Sequence, residues 1–214
     1  MKTFFDRAEA GRLLGQRLAA LKLVDPVVLA LPRGGVPVAV EVARALHAPL
    51  DLLMVRKIGA PGQRELAVAA VVDGDQPEIV VNEEALRLSG ADRAYVEAQA
   101  AHGLVEIKRR RALYLHGRKP VLLAGKSVVL VDDGIATGTT VRAALKALLR
   151  SDASHLVLAV PVAPASTVAQ LRTEAIHLVC LWQPALFRCV GNYYRDFHQI
   201  EDEEVIALLD SANR

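Results

Sequence analysis

Short, continuous apolar runs rich in valine and leucine recur along the chain, at residues 27–31, 50–55, 67–72, 79–81, 128–131, 156–160 and 176–181. Each is bounded by Gly, Pro, Asp or Asn and none alternates with polar residues, the pattern of strands buried on both faces. Stretches of helical period lie between several of them. Residues 8–21 put Leu14, Leu18 and Leu21 on one stripe, 38–46 follow Pro37, and 139–149 repeat Val141, Leu145 and Leu148. Strand and helix in alternation predict an α/β fold with a parallel sheet covered by helices. Ligands of such sheets gather at the carboxyl ends of the strands, so the loops that follow strands are where chemistry is expected.

Two regions interrupt this order. Residues of about 82–126 form an insertion with a long polar helix over 92–115, too hydrophilic for a core layer. Residues of about 182–200 hold Trp182, Phe187, Tyr193, Tyr194 and Phe197, most of the aromatic side chains of a chain that is 4% aromatic. The reading is one domain over 1–214, with a helical insertion and a C-terminal hood.

Composition narrows the class. With 214 residues and 52% hydrophobic content the chain can bury a core, which excludes disorder. Its 26 basic and 24 acidic side chains leave a net charge of +2, which selects no partner. The longest uncharged stretch, 156–171, contains Pro161 and Pro164 and is too short to span a bilayer. The first residues lack the apolar core of a signal peptide. A soluble, cytoplasmic protein is expected. Cys180 and Cys189 are too few for a disulfide framework or a zinc site, and the histidines show no metal spacing.

The segment 128–145 carries the chemistry. Val128-Val129-Leu130-Val131 ends in Asp132-Asp133 and continues through Gly134-Ile135-Ala136-Thr137-Gly138-Thr139-Thr140 into a helix. Backbone N–H groups of Ala136 to Thr140 can converge at the helix N-terminus on an anion. Thr137, Thr139 and Thr140 add hydroxyl donors, and Gly138 admits close approach. Two carboxylates beside a phosphate make sense when they accept hydrogen bonds from neutral hydroxyls, as those of a sugar phosphate. The alternative is a pair of acids that only cap the helix. Other phosphate motifs fail: Gly125-Lys126-Ser127 resembles the end of a Walker A loop, but Pro120 stands where its first glycine belongs.

This segment resembles the phosphoribosyl pyrophosphate (PRPP) motif of type I phosphoribosyltransferases: an apolar strand, two acids, a short spacer, Thr-Gly and a further Thr. The resemblance implies that Asp132 and Asp133 hold the ribose hydroxyls and that Ala136, Thr137, Gly138, Thr139 and Thr140 hold the 5-phosphate. It also implies that Arg33, Gly34 and Gly35, after the first strand, form the pyrophosphate-binding loop, often with an unusual peptide bond; a plain turn is the alternative. Arg56-Lys57 resembles the pair that follows the matching strand in adenine phosphoribosyltransferases, where two cations would neutralise a pyrophosphate leaving group. The Gly- and Pro-rich stretch 59–64 reads as the family's flexible closing loop. Glu65 beside it is a base, a magnesium contact or an ordinary loop charge. Residues 187–194 resemble the hood of purine-type members, which gives Phe187 and Val190 to the base; a small hydrophobic core is the alternative.

The implied reaction is displacement of pyrophosphate from PRPP by a nitrogen nucleophile, with Mg2+ held mainly by PRPP and no metal ligand assigned to the protein. Asp132, Asp133, Lys57 and Glu65 are the catalytic candidates. A nucleobase acceptor, nucleotide salvage and a homodimer go with the family. Ala136 stands where 6-oxopurine enzymes carry an aspartate, so hypoxanthine and guanine fit less well and the acceptor stays open. A second reading is a non-catalytic PRPP-binding regulator that contacts nucleic acid through Lys108, Arg109, Arg110, Arg111, Arg118 and Lys119, although such a run is more often a solvated surface.

Overall fold

A computed structural model describes residues 3–74, 77–172 and 177–212, the side chains of Arg64 and Glu65 excepted. The chain runs α1 (Arg7–Ala19), β1 (Pro26–Ala30), α2 (Gly35–Leu46), β2 (Leu50–Leu52), β3 (Val55–Ala60), β4 (Gln63–Val72) and β5 (Glu78–Val81). It continues through α3 (Glu83–Ser89), α4 (Arg93–Leu115), β6 (Ser127–Val131), α5 (Thr139–Leu148), β7 (His155–Val162), α6 (Ala165–Arg172), β8 (His177–Trp182) and α7 (Asp202–Ala212). Two compact units result. One comprises Met1–Leu52, Val121–Gly138 and Ser151–Arg214, the other Leu53–Pro120 and Thr139–Arg150.

The first unit is built on the parallel sheet that the apolar runs predict. Its five strands lie in the order β2-β1-β6-β7-β8, every pair parallel. The central strand β6 is buried along its whole length, which is why residues 128–131 are apolar without alternation. Helices α1, α2 and α6 pack on the sheet, and α7 packs on α2. Chain order reverses between β1 and β6, and the crevice outside the carboxyl ends of strands at such a switch point is where open α/β sheets bind ligands. The two segments of greatest chemical interest, 32–35 and 132–138, leave the sheet from those two strands. Ile176, at the start of the last apolar run, lies outside the described residues.

Helices α1 and α2 touch through glycine. A Cβ on Gly11 would lie 2.6 Å from the Val38 carbonyl oxygen and 3.0 Å from Val38 Cα, and one on Gly15 would lie 2.6 Å from Ala45 Cβ. Gly11→Ala gains up to about 1 kcal/mol of helix propensity. It must then push apart two helices whose obstacle is backbone, which costs roughly 1–3 kcal/mol. A net loss of stability is expected in a urea melt. A gain would mean that the helices can separate freely.

The second unit departs from the all-parallel expectation. Strands β3, β4 and β5 form a separate antiparallel sheet. The connection between β3 and β4 is only Pro61-Gly62, far too short for the crossover that parallel neighbours need. Gly62, at φ 72°, takes the left-handed position of that turn. The stretch 59–64 is therefore a hairpin tip with Ala60 opposite Gln63, not an open loop. The polar helix over 92–115 forms with Asp92 as its N-cap, accepting from Tyr95 N at 2.8 Å. Contrary to expectation, α4 does cover a sheet: it packs on β3 and β4 through a stripe including Val96, Ala100, Gly103 and Ile107. Gly103 makes this possible, since a Cβ there would lie 2.9 Å from Val71 Cγ1 and 3.4 Å from Arg56 Cδ.

Candidate functional site

Strand β6 delivers Asp132 and Asp133 to the edge of the first unit's sheet, beside the end of β1. Leu31 N donates to Val131 O at 2.9 Å, which extends the β1–β6 pairing to the last residue before the acids. The β1 chain then turns through Arg33 and Gly34 into α2, and the Pro32–Arg33 peptide bond is cis. Gly34 and Gly35 bring this turn directly against the acids. A Cβ on Gly34 would lie 2.2 Å from Asp133 Oδ2, and one on Gly35 would lie 2.8 Å from Val131 O and 3.1 Å from Asp132 Cα. Beyond the acids, Ile135 N donates to Val162 O at 2.9 Å, and Thr167 of α6 donates to the Ala136 carbonyl at 3.1 Å. Gly138, at φ 77°, makes the left-handed step that no side chain favours, and α5 starts at the next residue.

The acids are not alone. Arg7, the first residue of α1, donates from Nε to Asp133 Oδ2 at 2.8 Å, with both side chains nearly buried at 8% and 14% exposure. Its Nη1 donates to the His198 carbonyl at 2.9 Å, and Phe197 lies under the guanidinium at 3.9 Å. The Tyr194 hydroxyl donates to the Asp133 carbonyl at 2.6 Å. Burial, followed by the charge of Asp133, pushes the Asp132 carboxyl well above its ordinary value of 3.8. Burial also pushes Asp133 upward, against the pull of Arg7. The close ion pair makes Asp133 the member that keeps its charge, so the added proton affinity of the pair falls on Asp132. Burial, then the charge of Asp133, raises the Tyr194 phenol above its normal range, so it stays a neutral donor. A pocket of about 420 Å³ opens on this corner, lined by Arg7, Arg33, Gly34, Asp133, Phe197 and His198 among others.

The profile of the phosphoribosyl transferase domain family matches residues 6–183, most of the chain. The chain belongs to that family. Rv0571c of Mycobacterium tuberculosis H37Rv, provisionally named a phosphoribosyl transferase, is 48% identical over all 214 residues. The chain spans about half the length of such curated relatives, 48% of the Mycobacterium protein. The crystal structure of TT1426 from Thermus thermophilus superposes with a TM-score of 0.84 at 45% identity, covering 98% of each chain. A Neisseria gonorrhoeae protein crystallised with bound ppGpp shares the fold at a TM-score of 0.51 and 15% identity, over 99% of this chain and 98% of its own.

The structure brings Arg33, Gly34, Gly35, Asp132, Asp133 and Val190 together in the first unit. Val190 is packed on the acid loop, since a Cβ on Gly134 would lie 2.6 Å from its Cγ1. Phe187 instead stacks on Tyr193 at 5.4 Å, inside an aromatic cluster with Trp182, Tyr194, Phe197 and Phe4. Arg33 faces Glu201 at 3.3 Å and Asp202 at 3.6 Å. Arg56 and Lys57 lie in β3 of the second unit, both exposed. Strand alternation sends them to opposite faces, with the Arg56 stem under α4 at Gly103. Glu65 falls in β4, and its side chain lies outside the described residues. Thr139 and Thr140 open α5.

Arg7 is the site residue that sequence reasoning misses. One signal for it exists: a cation at the first position of a helix opposes the helix dipole, so a compensating partner is needed. His198 also lines the pocket. Hydrogen bonds to Asp196 and Glu204 hold its imidazole pKa above the ordinary range. Among the described residues no cluster of three or more His, Cys, Asp or Glu side chains could hold a metal. No described helix is long and apolar enough to cross a membrane.

Proposed function

We propose that the chain binds PRPP and transfers its phosphoribosyl group to a nitrogen nucleophile of nucleobase type, releasing pyrophosphate. The observation that carries this reading is the pair Asp132 and Asp133 at the switch point of the sheet, against the Gly34-Gly35 turn and leading into Ala136, Thr137, Gly138, Thr139 and Thr140. The acids accept the ribose hydroxyls, the loop amides and hydroxyls take the 5-phosphate, and the turn at Arg33 faces the pyrophosphate. In the reaction the anomeric carbon–oxygen bond to pyrophosphate breaks, a carbon–nitrogen bond forms, and the acceptor nitrogen gives up its proton. The transition state is oxocarbenium-like, so the protein's task is positioning and charge stabilisation. The Ala136 side chain offers no base for the acceptor proton.

Two carboxylates, one already paired with Arg7, fall short of the six oxygen ligands of an octahedral magnesium ion. Mg2+ therefore fits as a companion held mainly by PRPP itself rather than by protein side chains. Bound there it supplies positive charge to the departing pyrophosphate. The regulator reading has less to stand on, because Glu106 engages Arg109 and Arg110 and Asp73 engages Arg111.

The test is the phosphorus NMR spectrum of magnesium-PRPP with stoichiometric protein and a panel of nitrogen bases. Conversion of the anomeric pyrophosphate resonances to free pyrophosphate, dependent on one base, is the expected result and names the acceptor. Broadened resonances that persist with every base would favour the regulator. Sharp, unperturbed resonances would rule out PRPP as the ligand.

A further inference from the structure

Arg7 sits where an arginine is electrostatically misplaced. It occupies the first turn of α1, at the positive end of the helix, and its side chain is almost wholly removed from water. Such a placement persists only when the surroundings compensate for it. The guanidinium is engaged by two hydrogen bonds and by one aromatic face. Nε holds Asp133 Oδ2, Nη1 holds the His198 carbonyl, and the ring of Phe197 lies against the plane. The chain on either side is fixed as well. Phe4 N donates to Tyr193 O at 2.8 Å, Arg195 N to Phe4 O at 2.9 Å and Asp196 N to Phe5 O at 2.8 Å, so residues 4–5 are tied to the hood segment around an isolated β-bridge between Phe4 and Tyr194.

We propose that Arg7 is a positioning residue for the ribose-hydroxyl site, holding Asp133 by Oδ2 as a fixed carboxylate so that Oδ1 and the neighbouring Asp132 meet the sugar. This rests on the PRPP reading of the site. Two adjacent carboxylates, largely buried, cannot both stay charged at neutral pH without a nearby cation. Arg33 lines the same pocket, but Glu201 and Asp202 already face it. The other titratable groups around the pair are Asp132 itself, the Tyr194 phenol, which donates to the Asp133 carbonyl, and His198 with its partners Asp196 and Glu204. None of these can replace the charge of Arg7 at the Asp133 carboxylate. Remove that charge, and the pair takes up a proton that a sugar hydroxyl must then displace.

The experiment is calorimetric titration of magnesium-PRPP into wild type, Arg7→Met and Arg7→Lys at pH 7.5, in two buffers of different ionisation enthalpy. Arg7→Met is expected to bind at least tenfold more weakly and to release about one more proton per PRPP than wild type. Its affinity should recover toward wild type as pH rises, because deprotonation restores the acceptor. Arg7→Lys should lose affinity and keep the wild-type proton count. A purely structural role would lower affinity with no extra proton, and that result would overturn the proposal. Should Arg7→Met fail to fold, Arg7→Lys decides: the extra proton release in that variant, where the charge is kept, would equally overturn it. No binding by wild type would remove the PRPP reading itself. Binding by wild type with unaltered behaviour in the variants would remove only the role of Arg7.

Discussion

Asp132→Asn is expected to make the unliganded protein more stable at pH 7 while weakening PRPP binding by roughly tenfold to a hundredfold. Both effects come from one cause. The folded structure places Asp132 half-buried beside a second carboxylate, and desolvation and that neighbouring charge hold its pKa well above the ordinary 3.8. A raised folded pKa means that the native state holds the proton more tightly than the unfolded chain does. Stability is then fully present below about 3.8 and is lost as pH rises through the raised value. Asparagine cannot titrate, so it escapes that loss. Its side-chain oxygen can still accept from Asp133 N, a hydrogen bond of 2.9 Å in the native protein. The advantage of the variant should therefore be small near pH 4 and grow toward neutrality. Against this, a hydrogen bond from a ribose hydroxyl to a charged acceptor is worth about 1.5–3 kcal/mol, most of which an amide gives up. Thermal midpoints of both proteins between pH 4 and 8, with a PRPP titration at pH 7, check the two halves separately. A variant less stable than wild type at pH 7 would show that Asp132 is not a strained charge. Unchanged PRPP affinity would take it out of the ribose site.

Physical causes separate the parts of this site that are legible in the sequence from those that are not. Two adjacent acids directly after an apolar strand are improbable as packing, so Asp132 and Asp133 stand out from the chain order alone. The Gly34-Gly35 turn is legible for the same reason, as small residues placed where a strand meets a helix. Arg7 is not, because its partner is 126 positions away and only the folded chain brings them together. The hood is half-legible: composition marks the aromatic cluster, but its attachment through Phe4 to Tyr194 is a long-range pairing without periodicity. The antiparallel sheet of the second unit is the reverse case. Pro61-Gly62 between two strand-forming runs carries a hairpin signal. The surrounding glycines and the expected closing loop point the other way, and the short connection decides it.

Gly34→Ala is expected to lower PRPP affinity by at least about a hundredfold, and the reason is distance rather than backbone conformation. Gly34 has φ −59° and ψ −33°, a helical geometry that alanine adopts freely. The added methyl would lie 2.2 Å from Asp133 Oδ2 and 2.8 Å from its Cγ, so one of the two must move. The carboxylate is a side-chain tip and will swing aside, which removes it from the proposed ribose site and from Arg7 at once. Gly35→Ala meets backbone instead, at Val131 O and Asp132 Cα, and nothing there can yield cheaply. It should lower stability by roughly 1–3 kcal/mol as overpacking. The cycle that separates these cases pairs each alanine with Arg7→Met. Gly34→Ala and Arg7→Met both release the Asp133 carboxylate, so together they should cost little more stability than the worse of the two. Gly35→Ala acts mainly through the β6 backbone, and its cost should come closer to adding to that of Arg7→Met. Denaturant melts of the singles and doubles give the answer. Additive losses for Gly34→Ala with Arg7→Met would mean that the methyl acts through something other than Asp133, and the close approach of the Gly34 turn to the acid pair would lose its functional meaning.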